Sequence, residues 1–277
     1  MQNATVSGEF GLAEVKKAFT SLVAGKNPFI TNARRAEELL ANWNAAAERP
    51  MRGRRSFYGS SPEEMIQWCK DGYPLSIPTI HTAMTKRANK RKFIRAEEGE
   101  LILEAAYSGE DMPFLNQTKL PARPGLRIVA EYSTLESTPP AALAAYGKFL
   151  GELSALYQSK GYDLGLSISL PGHDRFRKSG KSETLITLKR EGQMSEPKEW
   201  SAIFAPSGYR MLGFVSHLML GDKHKLTVVS TMGRTRTSGK FNATFDKPTR
   251  TLKITVPNSY QEFPAAMLRD KIERLGI

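Results

Sequence analysis

The sequence predicts an α/β protein in which a mostly helical N-terminal region, residues 1–120, precedes a mixed-sheet α/β domain, residues 121–277, with basic loops. Three observations predict it. Apolar residues recur at helical spacing in the first hundred positions, the period changes at Leu126, and a strand, a long amphipathic helix and a second strand then follow in order. With 277 residues, 40% hydrophobic and 25% charged, the chain is long enough to bury a sizeable core and too ordinary in composition to be fibrous or disordered.

Glu9 to Leu22 and Ala33 to Ala47 are expected as surface-packed helices, the second carrying Leu39, Leu40 and Trp43 at helical spacing. Arg49-Pro50-Met51-Arg52-Gly53-Arg54-Arg55 breaks that pattern and makes a loop or linker. The next helix is better marked. Ser61 can cap it, Pro62 suits its first position, Glu63 and Glu64 favour the positive end of its dipole, and Gly72 followed by Pro74 stops it. Met65, Trp68 and Cys69 share one face and are expected in the core. His81 to Glu104 is expected as a longer helix, basic in its first half and acidic and apolar in its second. Residues 107–125, with Gly109, Pro113, Pro121, Pro124 and Gly125, form an extended connection and supply the boundary.

Beyond it, Leu126 to Tyr132 is a strand, Pro139 to Lys160 a helix ended by Gly161, and Tyr162 to Leu170 a second strand. Thr184 to Lys189 can pair with that strand as a hairpin, through a connection carrying Arg175, Arg177, Lys178 and Lys181. Helices are expected at Pro197 to Phe204 and Pro206 to Leu220, strands at Lys225 to Thr231 and Thr251 to Val256, and a last helix at Ser259 to Leu275.

Catalytic signatures are missing. The sequence holds no phosphate loop, dinucleotide fingerprint, nucleophile elbow or zinc-protease motif. His81, His173, His217 and His224 are scattered without ligand spacing, and Cys69 is the one cysteine, which excludes an intramolecular disulfide and a thiolate zinc cluster. A restriction-type nuclease would place an acid two residues before Lys189, where Thr187 stands. Glu131-Tyr132-Ser133-Thr134-Leu135 resembles a degraded metal-adhesion motif of von Willebrand A-type domains, with Glu in place of Asp and Leu in place of the last Ser. That resemblance implies a metal-free relative of the fold, and no metal or cofactor is expected.

Charge is the more informative signal. Forty basic residues against 28 acidic give +12 and a pI near 9.7. A polyanionic partner is the first expectation. The surplus is +3 over residues 1–120 and +9 over 121–277. Lys86, Arg87, Lys90, Arg91, Lys92 and Arg95 lie in a stretch without an acid, with Arg87, Arg91 and Arg95 spaced to share a helix face. Lys223 to Lys253 holds eight basic residues and one acid, Asp246, and its segment 231–240, with Arg234, Arg236 and Lys240, is rich in donors suited to phosphate oxygens. Phe241, Phe245 and Tyr260 lie nearby in sequence, and Phe57 and Tyr58 follow the run from Arg52 to Arg55. Cations beside rings are what single-stranded nucleic acid needs, although any one of these rings can equally be core.

Two blocks, Phe57 to Pro74 and Trp200 to Phe214, resemble an uncharacterised family of tailed-bacteriophage proteins, with Tyr157 to Tyr162 and Leu188 to Arg190 falling in similar order between them. The resemblance covers roughly positions 55–220, and Tyr146-Gly147 stands where that family would have an Arg-Gly pair. It implies a phage origin and expression in the cytoplasm of an infected bacterium, and brings no activity or catalytic residues.

The expected function is therefore a non-catalytic, phage nucleic-acid-binding protein, preferring single-stranded DNA over RNA, acting in replication or transcription and working beside a polymerase. Arg52, Arg54, Arg55, Lys86, Arg87, Lys90, Arg91, Lys92, Arg95, Arg175, Arg177, Lys178, Arg234, Arg236 and Lys240 are the expected phosphate contacts and Tyr58 the stacking ring. A virion or assembly protein facing packaged DNA, and an inhibitor of a host protein, are the competing readings. No apolar run approaches the roughly 18 residues of a membrane span, and the start has no cationic stretch leading into an apolar one, so a soluble intracellular protein is expected.

Overall fold

A computed structural model of the chain describes residues 6–26, 38, 40–41, 61–75, 93–96, 100–101, 114–117, 124–132, 138–173, 181–191, 197–205, 208–224, 240–257 and 260–277. It is a mixed α/β structure built on a six-stranded mixed sheet. The strands are β1 (Val6–Gly11), β5 (Gly125–Glu131), β6 (Asp163–His173), β7 (Lys181–Lys189), β8 (Asn242–Asp246) and β9 (Thr251–Thr255), in the order β1-β7-β6-β5-β9-β8. Three short strands, β2 (Phe93–Ala96), β3 (Glu100–Leu101) and β4 (Phe114–Gln117), make a separate antiparallel sheet. The described helices are α1 (Leu12–Val23), α2 (Pro62–Asp71), α3 (Pro140–Ser159), α4 (Pro197–Trp200), a 3₁₀ turn (Ser201–Phe204), α5 (Gly208–Lys223) and α6 (Ala265–Glu273).

Alternation sets the layers. In β5, Leu126, Ile128, Ala130 and the following Tyr132 are buried, while Arg127, Val129 and Glu131 on the other face are only partly covered. The same face of the sheet carries Phe10, Leu164, Leu166, Ile168, Leu170, Ile186, Leu252 and Ile254, all in one core cluster. Contacts place the helices on that face. His217 of α5 meets Thr184, Leu220 of α5 lies against Gly8, and Tyr132 donates to the carbonyl of Ile203 at 2.9 Å. Tyr146 of α3 donates to the Glu131 carbonyl at 2.8 Å, and its ring stacks on Phe263 at 4.7 Å, just ahead of α6. The result is two layers, with one apolar core between helices and sheet.

The expected β-α-β unit is present as β5-α3-β6, with β5 and β6 parallel. The β6-β7 hairpin is present too, antiparallel, with a register shift between Leu166 and Ser167 that makes Leu188 an extra residue in β7. Helix α2 has the expected cap: Ser61 accepts from the Glu64 amide while the Glu64 carboxylate accepts from the Ser61 amide. Met65 is fully buried, and Trp68 and Cys69 pack against the core.

Several expectations need correction. The first helix begins at Leu12, because Val6, Gly8 and Phe10 alternate as a strand that pairs in parallel with β7. The helix expected over His81 to Glu104 is not helical at Phe93–Ala96 or Glu100–Leu101, which pair with β4 inside the supposed extended connection. Arg95 therefore sits on a strand, and the shared helix face with Arg87 and Arg91 does not extend to it. Pairing across the small sheet outweighs local helix preference here. β8 has no counterpart among the expected strands, and the last helix starts only at Ala265, after Pro264. The N-terminal 120 residues contribute strands as well as helices, and Phe10, Val15, Phe19 and Met65 share one core with the rest of the sheet. The helix expected at 33–47, apart from helical residues 38 and 40–41, residues 81–92 of the helix expected over His81 to Glu104, the loop expected at Arg49 to Arg55 with the following Phe57 and Tyr58, and the strand expected at 225–231 lie outside the described residues.

Two tests follow from the core. A Cβ at Gly208, where α5 begins, would overlap the carbonyl oxygens of Ala202 and Ile203, so Gly208→Ala should cost about 1–3 kcal/mol in urea unfolding. Burial pushes the His217 imidazole down to about 4, with Nδ1 2.9 Å from Thr184 Oγ1. Because the folded state favours the neutral ring, stability should fall as pH drops from about 6.5 toward 4, by up to about 3 kcal/mol, and His217→Gln should flatten that part of the profile.

Candidate nucleic-acid interface

Strand direction decides which connections share an end of the sheet. β5, β6 and β9 run one way and β1, β7 and β8 the other. The C-terminal ends of β5, β6 and β9 and the N-terminal ends of β7 and β8 therefore lie together at what we call the upper end. His173 and Lys181, which flank the stretch holding Arg175, Arg177 and Lys178, are both there. So are Lys240 and Asn242, at the exit of the stretch holding Arg234 and Arg236.

Of the expected contacts, Lys240 is exposed at the entrance to β8 and Arg95 lies on β2. Arg52, Arg54, Arg55, Tyr58, Lys86, Arg87, Lys90, Arg91, Lys92, Arg175, Arg177, Lys178, Arg234 and Arg236 lie outside the described residues. The flanking aromatics are used for packing: Tyr260 is buried and meets Phe241 edge-on at 5.2 Å, and Phe241 meets Phe263 at 5.7 Å.

The sheet face turned away from the helices is polar, which the sequence reading missed. Two chains of contacts cross it. Thr187 donates to Glu9 at 2.5 Å, Glu9 pairs with Arg127 at 3.2 Å, and Ser167 lies 3.5 Å from Thr187, so this chain joins β1, β7, β6 and β5. Nearer the upper end, Lys253 pairs with Glu131 at 3.1 Å and Ser169 donates to Glu183 at 2.6 Å, bridging β9 with β5 and β6 with β7. Every second residue of each strand supplies this face, so alternation was the signal that could have found it.

Electrostatics follow from these partners. The Thr187 hydroxyl and the Arg127 guanidinium hold the Glu9 carboxyl below its usual range, outweighing partial burial. Burial raises Glu131, Lys253 pulls it back, and Glu183 adds to the rise. Lys189, buried at the bulge, donates to the Leu164 carbonyl at 2.5 Å, and burial lowers its pKa. In the metal-adhesion resemblance Glu131 pairs with Lys253, while Ser133, Thr134 and Leu135 lie outside the described residues, among which no three His, Cys, Asp or Glu converge. No helix among the described residues is long and apolar enough to cross a membrane.

With that geometry in place, comparison with known proteins finds no matching family model, curated protein or solved structure.

Lys253→Ala should leave the Glu131 carboxylate partly buried without its cation. Stability should drop by about 0.5–1 kcal/mol at pH 7.5, since the Lys253 side chain is 46% exposed, and the difference from wild type should close as pH falls and Glu131 takes up a proton. Chemical unfolding at pH 7.5 and 4.5 measures it.

Proposed function

We propose that the protein binds single-stranded DNA, in preference to RNA and without catalysis, along the upper end of its sheet. The observation that carries this reading is the common anchoring there of two basic connections, residues 174–180 after β6 and 231–239 before β8. Three to four strand spacings, about 15–20 Å, separate the two anchors, enough for several phosphates in succession. Arg175, Arg177, Lys178, Arg234, Arg236 and Lys240 then supply guanidinium and ammonium donors to one strand. The surplus of +12 supports the same reading, because self-repulsion of that size is relieved by a polyanion.

The setting we propose is a phage-infected bacterial cytoplasm, in replication or transcription and beside a polymerase, supported by the resemblance of Phe57–Pro74 and Trp200–Phe214 to tailed-phage proteins. A metal-free relationship to von Willebrand A-type domains is supported by β5-α3-β6 and by Lys253 standing on the Glu131 carboxylate.

Gel shifts with single-stranded DNA, duplex DNA and RNA across ionic strength test the reading. Single-stranded DNA should be retained best, and retention should fall steeply with salt. The triple change Arg175→Ala, Arg177→Ala, Lys178→Ala should lower the log–log salt slope by roughly 2, at roughly 0.7 for each phosphate that is no longer neutralised. Absence of any shift at low salt would sink the proposal.

A further inference from the structure

The opposite, lower end of the sheet carries an arginine in an unusual place. β8 and β9 are joined by Lys247-Pro248-Thr249-Arg250, all four exposed, and Arg250 has φ 51°. That is the left-handed region, where a side chain crowds its own backbone and glycine or asparagine is the usual occupant. The backbone is fixed there: the Arg250 amide donates to the Lys247 carbonyl at 3.3 Å, and its carbonyl accepts from the Arg127 amide at 3.1 Å. The hairpin alone would be better served by glycine, so the arginine side chain needs its own explanation.

Its guanidinium lies 5.7 Å from the centroid of the Tyr162 ring, in the α3-β6 connection, and Tyr162 is braced edge-on by Tyr157 at 5.7 Å. No described carboxylate pairs with Arg250 or Lys247. Of the acids at this end, Asp246 accepts from the Thr249 hydroxyl at 2.7 Å, and Asp163 and Glu191 act electrostatically on Lys189. A guanidinium on a tyrosine ring presents its outer face to a nucleobase and its N–H edge to phosphate.

We propose that Arg250, seated on Tyr162 and flanked by Lys247, is a second contact for single-stranded DNA, stacking on a base and donating to a phosphate. It rests on the single-strand reading above, and adds the lower end of the sheet to a path that begins at the upper one.

The test uses the full chain, fluorescence anisotropy with labelled oligo(dT), and thermal unfolding of the same samples. Arg250→Gly relieves the backbone and should unfold at the same temperature or higher, yet bind about tenfold more weakly. Tyr162→Phe should keep wild-type affinity and Tyr162→Leu should lose it. Lys26→Ala, which removes an exposed cation just after α1, should bind as wild type. If Arg250→Gly and Tyr162→Leu bind as wild type while wild type binds, the lower contact is wrong and the single-strand reading stands. Equal weakening by Lys26→Ala also overturns the contact, since net charge alone would then explain the weaker binding. Failure of wild type to bind overturns both.

Discussion

The structure depends on burying the apolar face of its sheet against the helices. Leu126, Ile128, Leu164, Leu166, Ile168, Ile186, Leu252 and Ile254 turn toward the helices, which settle in a layer from α1 over β1 to α6 over β8. Hydrophobic burial is roughly proportional to apolar area removed from water, so this single interface carries most of the driving force for folding. The aromatic group of Tyr132, Tyr146, Phe149, Phe204 and Phe263 fills its middle, where the Tyr132 and Tyr146 hydroxyls donate to main-chain carbonyls while the neighbouring Tyr260 hydroxyl is buried without a hydrogen-bond partner among the described residues.

The other face is polar and bridged by charge, with Ser167, Ser169 and Thr187 buried on it. Glu9 and Arg127 come from strands with two others between them, and they can meet because the positions beneath, Gly165, Ser167 and Thr187, are small. Larger side chains there would separate the pair. Glu131 and Glu183 flank Ser169, and among the described residues only the first pairs with a lysine. A polyanion on this face would meet a pattern of both signs.

Much of this was legible in the sequence. The β5-α3-β6 unit showed itself because alternation gives way to a helical period and back again within 45 residues, and the α2 cap is written in Ser61, Pro62 and Glu64. What stayed hidden depends on distant partners. Val6 to Gly11 has too few apolar residues to stand out, and becomes a strand only through β7. Phe93 to Ala96 follows a run of good helix formers and is drawn into a strand by β4. The expected site was less legible, since basic segments announce themselves by composition while their convergence depends on strand direction. Arg250 counts in the sequence only as one of the eight basic residues of Lys223 to Lys253, because nothing local reveals its backbone angle.

The position of β1 has a consequence for synthesis. Its partner among the described residues, β7, emerges about 175 residues later, which at roughly 5–20 residues per second leaves this strand waiting about 10–35 s on the ribosome. Parallel pairing over such a separation is slow and exposes an unsatisfied strand in the interval, and Val6 to Gly11 softens that hazard by interrupting its apolar residues with Ser7, Gly8 and Glu9 instead of forming a continuous apolar ribbon. The earliest of these strands therefore cannot join the sheet until β7 is made, so nascent chains cut short before Lys181 lack its partner altogether.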